Sequence, residues 1–159
     1  MLKQLLLSTV FIGSAFAGTI GASGNDYGSP DEARAMLARA AVEVKTDKLG
    51  AIAKFNHNDQ QFRDRDLFVF CFNGQDGKLT AHEAMVTRDV RTFRDKTGKA
   101  FGEEMYRNAK EGQIVEVAFM SPVPGSTEQV VKRSYVTRIG DQVCGVSAYH
   151  FNGKGEPTQ

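Results

Sequence analysis

The chain has 159 residues, 41% of them hydrophobic, with 20 basic and 19 acidic side chains and a formal net charge of +1. This length is enough for one domain with a hydrophobic core and too short for two. The balanced charge argues against non-specific nucleic-acid binding, which depends on a surplus of lysine and arginine.

The N-terminus has the pattern of a cleaved secretory signal sequence. Lys3 is followed by a short apolar run, and Ala15-Phe16-Ala17 matches the small-residue cleavage site. Because the run is too short to span a bilayer, we expect a periplasmic or secreted protein that is not membrane-spanning after cleavage. A retained anchoring helix is the alternative. The predicted organisation is a signal peptide over 1–17, a flexible leader over 18–28, one folded domain over 29–152 and a tail over 153–159.

A long amphipathic helix is predicted at the start of the domain. Ser29, Pro30 and Glu32 form a capping box with proline at the first helical position. Apolar residues then recur at helical spacing, which predicts one helix to about Phe55, bent at Gly50. We interpret its apolar stripe as core packing.

The polar segment 56–66 is interpreted as a solvated loop. His57 and Asp59 could form half of a metal site, but no second cluster in the sequence pairs with them. We therefore predict no bound metal and no cofactor.

A buried hairpin is predicted next. Residues 67–72 are apolar at every position, which indicates a strand covered on both faces. Residues 73–78 are rich in turn formers, and residues 79–83 fit a return strand. The segment also aligns with a calcium-binding EF-hand loop, but Phe72 and Gly74 occupy two positions that need oxygen ligands, and no amphipathic helix precedes it. We interpret it as a hairpin turn.

The C-terminal half is predicted to contain a short helix, ending near Gly112, and three strands. The strands are expected at Ile114–Met120, Val130–Ile139 and Gln142–Phe151. Gly140-Asp141 is a two-residue connection, which predicts a hairpin between the last two strands. The densely charged segment 88–96 is interpreted as a solvated excursion with local ion pairs, or as a docking surface for a partner protein.

The two cysteines, Cys71 and Cys144, are expected to form a disulfide, because paired cysteines in an oxidising compartment are more often bridged than free. Two buried, inert thiols are the alternative. A bridge that closes so long a loop would stabilise the fold by roughly 4 kcal/mol.

An ordered series of residues runs through these elements: the aromatic first strand, then Asp76-Gly77-Lys78, Ala81-His82, Asp89, Asp95, Gly98, Phe101, Lys132, Tyr135-Val136, Gly145 and Tyr149. Over about residues 31–151 the series resembles the Cache domain family, in particular the single-Cache, type 2 class of extracytoplasmic sensor modules. The chain departs from the family pattern at Glu83, where proline is common, and in the third strand, which lacks a frequent tryptophan.

The resemblance implies an α+β, PAS-like fold, with a five-stranded antiparallel sheet, the long N-terminal helix on one face and a ligand pocket on the other. The excursion between the second and third strands would wall the pocket. The first and last strands would lie side by side, so the resemblance also places Cys71 and Cys144 on neighbouring strands.

Polar pocket candidates follow from this fold. His82 and Arg133 could bind a carboxylate, and Tyr135 shares the face of Arg133 by strand periodicity, whereas Lys132 does not. Backbone hydrogen bonding, surface exposure or core packing are the structural alternatives. The full predicted ligand-binding set is Phe70, Phe72, His82, Met105, Tyr106, Arg133 and Tyr135.

The predicted function is an extracytoplasmic sensor module that binds a small organic acid or similar metabolite and acts with a separate membrane-bound receptor or kinase. The alternative is a structural or interaction protein whose pocket is filled by its own side chains. The sequence has no G-x-S-x-G, H-E-x-x-H or C-x-x-C motif, so we predict that it is not an enzyme. An enzyme of unrecognised type would need a free cysteine or a metal.

Overall fold

In the computed structural model, the described residues are 27–151. The predicted signal peptide, most of the leader and the C-terminal tail lie outside them. No helix within this range is long and apolar enough to cross a membrane. In chain order the elements are helices α1 (Pro30–Thr46) and α2 (Lys48–Asn56), strands β1 (Arg63–Asp64), β2 (Leu67–Asn73) and β3 (Leu79–Ala81), a 3-10 helix (Val90–Thr92), helix α3 (Phe101–Asn108), and strands β4 (Val115–Pro122), β5 (Gln129–Ile139) and β6 (Gln142–Tyr149).

The predicted N-terminal helix is in fact two helices. The capping box is confirmed, since the Ser29 hydroxyl accepts the Glu32 amide and the Glu32 carboxylate accepts the Ser29 amide. The break comes at Asp47, not at the predicted Gly50. Asp47 has an extended backbone, and its carboxylate accepts the Gly50 N–H as the cap of α2. An N-cap aspartate satisfies amides that a new helix leaves open, and this competes with helix continuation.

The sheet is antiparallel, in the order β1-β2-β6-β5-β4, with β3 also paired to β2. It has six strands rather than the predicted five, because the two residues of β1 add a short ladder to β2. The predicted hairpin is confirmed, since Ile139 and Gln142 pair across the Gly140-Asp141 turn. The first long strand and the last one are neighbours, as the resemblance implied.

Strand β2 separates two layers of the core. Leu67, Val69 and Cys71 face α1 and α2, whereas Phe70 and Phe72 belong to a second cluster on the opposite side. Because both faces of β2 are covered by a core layer, the side chains that point to either face are apolar.

The disulfide is confirmed. Cys71 and Cys144 lie directly opposite each other on β2 and β6, both completely buried on the helix side of the sheet, and are bridged across a sequence separation of 73. The bridge crosslinks two central strands of the sheet, and the second core layer packs against the other face of these strands.

The excursion between β3 and β4 contains the 3-10 helix and α3 and covers the second face of the sheet. The turn before β3 is tight, as predicted: Gly77 has φ +73°, and the Asn73 side chain accepts the Gln75 amide. The α+β, PAS-like architecture is therefore confirmed, with helices on one face and a covering excursion on the other.

Candidate functional site

A cavity of about 240 Å³ lies between the sheet and the excursion, on the face opposite α1. Its wall includes aromatic and methionine side chains from β2, β4 and α3, namely Phe68, Phe70, Phe101, Met105 and Phe119. Five side chains bring polar groups to this apolar wall: His82, Ser121, Lys132, Ser134 and Ser147.

Lys132 supplies the positive charge of the cavity. It lies on β5, and its Nζ is 4.1 Å from the centroid of the Tyr149 ring. Within residues 27–151 its ammonium has no hydrogen bond or ion pair. Burial lowers the pKa of Lys132, while the charges of Asp66 and Glu83 partly oppose that shift. The ammonium is thus a partly desolvated donor that lies over an aromatic face.

A pair of hydroxyls lies on the cavity floor. Ser134 and Ser147 are directly opposite each other on β5 and β6, and their Oγ atoms are 2.6 Å apart. Ser134 is only 1% exposed. Each hydroxyl carries one hydrogen, and a single shared hydrogen bond uses one of the two. The other hydrogen is available to donate to an acceptor in the cavity.

His82 follows β3 and lies against Phe68, with the ring centroids 5.1 Å apart in an edge-on arrangement. Its Nδ1 accepts the Ala84 amide at 3.1 Å. Nδ1 is therefore the unprotonated nitrogen, and the hydrogen of the neutral ring is on Nε2. Burial lowers the pKa of His82, and Glu83 opposes the shift. At neutral pH the ring is uncharged and offers one N–H donor.

The excursion is fixed over the cavity by Asp95. One carboxylate oxygen accepts the Met120 amide of β4 at 3.0 Å, and the other accepts the amide and hydroxyl of Thr97 at 2.8 and 2.6 Å. Burial acts to raise the pKa of Asp95, but these hydrogen bonds outweigh it and bring the pKa to about 2. The carboxylate thus joins the excursion to the sheet edge.

Close packing also holds α3 in place. The rings of Phe101 and Phe119 stack with centroids 4.1 Å apart, which joins α3 to β4. A side chain at Gly102 would collide with the carbonyl of Val90 in the 3-10 helix. Glycine therefore permits the approach that closes the cavity roof.

Three of the predicted site residues line the cavity: Phe70, His82 and Met105. Two others, Phe72 and Tyr106, belong to the same core layer without lining the cavity. Their rings are 6.3 Å apart, and the Tyr106 hydroxyl donates to the Gln75 carbonyl at 2.7 Å.

The expected place of Arg133 and Tyr135 in the pocket is corrected by the structure. They do share a face, but it is the helix face: Arg34 lies 4.2 Å above the Tyr135 ring, and Arg133 forms an ion pair with Glu116. Their neighbours on β5, Lys132 and Ser134, face the cavity instead. Strand periodicity determines which residues share a face, but with apolar residues on both sides it does not determine which face is inward.

No protein-family model matches the sequence, and no curated protein is significantly similar to it. Solved structures are similar. A methyl-accepting chemotaxis protein from Vibrio parahaemolyticus RIMD 2210633 has a TM-score of 0.57 and 17% identity, covering 74% of this chain and 85% of that chain. The periplasmic sensor domain of a chemotaxis protein has a TM-score of 0.53 and 19% identity, covering 74% and 87%.

A third similar structure is a Cache chemosensory domain described for its recognition of carboxylic acid, with a TM-score of 0.50 and 16% identity, covering 74% of this chain and 85% of that one. Identities this low establish shared architecture. This chain has the fold of the Cache sensor domains, which confirms the fold that the resemblance implied.

Proposed function

We propose that this protein is an extracytoplasmic sensor module that binds a small carboxylate in the cavity, with Lys132 as its anchor. The observation that carries the proposal is Lys132, which lines the cavity and whose ammonium forms no ion pair with any residue of 27–151. A buried, unpaired charge is costly, and a bound anion removes that cost.

The other polar groups of the cavity support an acceptor-rich ligand. His82 offers an N–H, and the Ser134–Ser147 pair offers one O–H. Together with the lysine they form a set of donors. A carboxylate has two oxygens and about four acceptor sites, so it can use several of these donors together.

The volume of the cavity indicates a small ligand. Pockets for drug-sized molecules are usually about 300–1,000 Å³, and this one is about 240 Å³. The apolar wall suits a short alkyl group behind the carboxylate. The carboxylic acid recognition described for one structural neighbour, and the chemotaxis sensor domains among the others, support the same function here. Action through a separate membrane-bound receptor or kinase remains a prediction.

Calorimetry and thermal shift with the mature chain test this proposal. Propionate should bind, and its uncharged isostere propionamide should not. At a hundred times its dissociation constant, propionate should add about 2.7 kcal/mol to stability, which raises the midpoint by several degrees.

Two variants locate the site. Lys132→Met should abolish the propionate response, because it keeps the apolar stem and removes the charge. Lys96→Met removes the same charge from an exposed position on the excursion and should respond like the wild type. A response that survives Lys132→Met would contradict the proposed anchor. No response to any short carboxylate would favour the alternative of an interaction protein without a ligand.

A further inference from the structure

The outer side of the excursion between β3 and β4 carries a surplus of positive charge. Residues 88–99 contain five basic and two acidic side chains, although the whole chain has a formal net charge of only +1. Both acids are used within the excursion. Asp89 forms an ion pair with Arg91 at 2.7 Å, and Asp95 accepts the Met120 amide of β4. The remaining cations are therefore only partly neutralised by their neighbours.

Two arginines of this segment have no acidic partner. Arg88 and Arg94 are exposed, and neither forms an ion pair in the described part of the chain. The Arg88 guanidinium lies 5.4 Å from the centroid of the Phe93 ring, and Arg94 donates to the Phe93 carbonyl at 3.1 Å. Both guanidinium groups thus lie around the same residue, and they give this part of the surface a positive potential.

An apolar side chain is exposed beside these arginines. Val86 is 42% exposed, whereas its neighbour Met85 lines the cavity. The Leu79 carbonyl accepts the Thr87 amide, and the Leu79 amide donates to the Arg88 carbonyl, each at 2.8 Å. Thr87 has φ +75°, a conformation that a β-branched residue rarely adopts. The turn is therefore held in a conformation that directs Met85 inward and leaves Val86 at the surface.

We infer that Val86, Arg88 and Arg94 form a docking surface for an acidic segment of a partner protein. We call it the excursion surface. The inference rests on the proposed function and specifies the chemistry of the sensor's partner. Carboxylates of such a segment would pair with the two guanidinium groups, and an apolar side chain between them would cover Val86. Arginine and apolar side chains together are typical of protein–protein interfaces.

The location of the excursion surface connects it to the cavity. Val90 and Phe93, in the same segment as the two arginines, line the cavity from the inner side. A docked partner and a bound ligand would therefore contact opposite sides of one segment. If the partner prefers the ligand-bound excursion, it must raise the affinity for the ligand by the same factor by which the ligand raises the affinity for the partner.

Two labelled synthetic peptides test the inference by fluorescence anisotropy on the mature protein. One is oligoglutamate, and the other has the same number of glutamates interspersed with leucine. The salt concentration is about 0.1 M, where charges are screened beyond about 10 Å. Both peptides should bind, and the leucine peptide should bind about tenfold tighter, because it also buries an apolar contact at Val86.

Charge variants locate the peptide site. The Arg88→Gln/Arg94→Gln double variant should weaken both peptides by about tenfold or more, since each arginine makes a hydrogen bond to a charged group. The Lys45→Gln/Lys110→Gln double variant is the matched control, because it removes two exposed cations that also lack ion pairs and lie outside the excursion. It should change either affinity by less than about twofold.

Val86→Ser should remove the advantage of the leucine peptide over oligoglutamate. Equal losses in the two double variants, or an advantage that survives Val86→Ser, would overturn the inference. Binding to phosphatidylglycerol vesicles without binding to either peptide would assign the surface to a membrane and also overturn it. If propionate binds and neither peptide does, the inference fails while the proposed function stands. If the peptides bind as expected and propionate does not, the proposed ligand site fails while the excursion surface stands.

Discussion

Gly145 on β6 makes room for the cavity floor, and replacing it with alanine is expected to close part of the cavity. A β-carbon at this position would lie 2.5 Å from Cζ of Phe70 and 2.7 Å from Cγ1 of Val136. Comfortable carbon–carbon contacts are about 3.5–4.0 Å, so one neighbour must move by about 1 Å or more. Val136 is completely buried in the central sheet, whereas Phe70 borders empty space. The Phe70 ring should therefore move into the cavity.

The size of the effect follows from overpacking in closed cores. Such substitutions cost about 1–3 kcal/mol. At about 4 °C per kcal/mol for a domain of this size, Gly145→Ala should lower the melting midpoint by about 4–12 °C. The displaced ring should also weaken propionate binding by about tenfold or more, since the ligand would have to push it back.

Thermal and urea denaturation of Gly145→Ala measure the loss of stability, and propionate titration measures the change in affinity. Gly74→Ala is the matched control, because the three atoms nearest to its added methyl belong to the guanidinium of Arg138, the end of a side chain that can swing away. This control should stay within about 0.5 kcal/mol of the wild type. Loss of stability in Gly145→Ala with unchanged propionate affinity would refute the movement of Phe70 into the site.

Three further predictions concern stability. Reducing the Cys71–Cys144 bridge, which spans a separation of 73 residues, should lower the free energy of unfolding by up to about 4.4 kcal/mol; equal urea midpoints with and without reductant would contradict this. The pKa of Asp95 falls from 3.8 to about 2 on folding, so its stabilisation is complete above pH 4 and is lost as the pH falls towards 2; Asp95→Asn should flatten this part of the pH–stability curve, and parallel curves would disprove the role. The pKa of Lys132 is lower in the folded protein than in the unfolded chain, so unfolding takes up a proton and the free energy of unfolding should rise as the pH approaches 10.5. Lys132→Met should be more stable than the ligand-free wild type at pH 7, and this difference in stability should narrow at alkaline pH.

The fold was predictable because its local signals agree with one another. The Ser29 capping box, the turn glycine Gly77 and the Gly140-Asp141 connection each specify one local conformation. The two cysteines are crosslinked because the sheet brings them to opposite positions, and here the family resemblance supplied the strand order that spacing alone does not. Element boundaries were less accurate. The helix cap at Asp47 was not predicted, because apolar residues recur at helical spacing on both sides of it.

The lining of the candidate site was predicted only in part, and β5 shows why. Apolar residues occur on both of its faces, with Val130 and Val136 on one and Tyr135 and Ile139 on the other. Alternation therefore paired Arg133 correctly with Tyr135 without revealing that this pair lies under α1. Contacts with residues distant in the sequence decide which face of β5 each side chain occupies; one such contact is Arg34 over the Tyr135 ring. The sequence analysis assigned Arg133 to the pocket because it shares the face of Tyr135 and suits a carboxylate, and it placed Lys132 on the other face.

The energetics of the two cations explain why the lysine is the better candidate. Arg133 is paired with Glu116, so binding a ligand would first require an existing ion pair to open. Within residues 27–151 Lys132 lies over the face of Tyr149 and forms no ion pair, and its ammonium is partly desolvated before any ligand arrives. An incoming carboxylate gains the full attraction without breaking a stronger contact. We expect the same charge to lower the stability of the ligand-free protein, which would be typical of a binding residue rather than a structural one. A substitution that stabilises the fold and also abolishes binding identifies the binding site more sharply than a substitution that only abolishes binding.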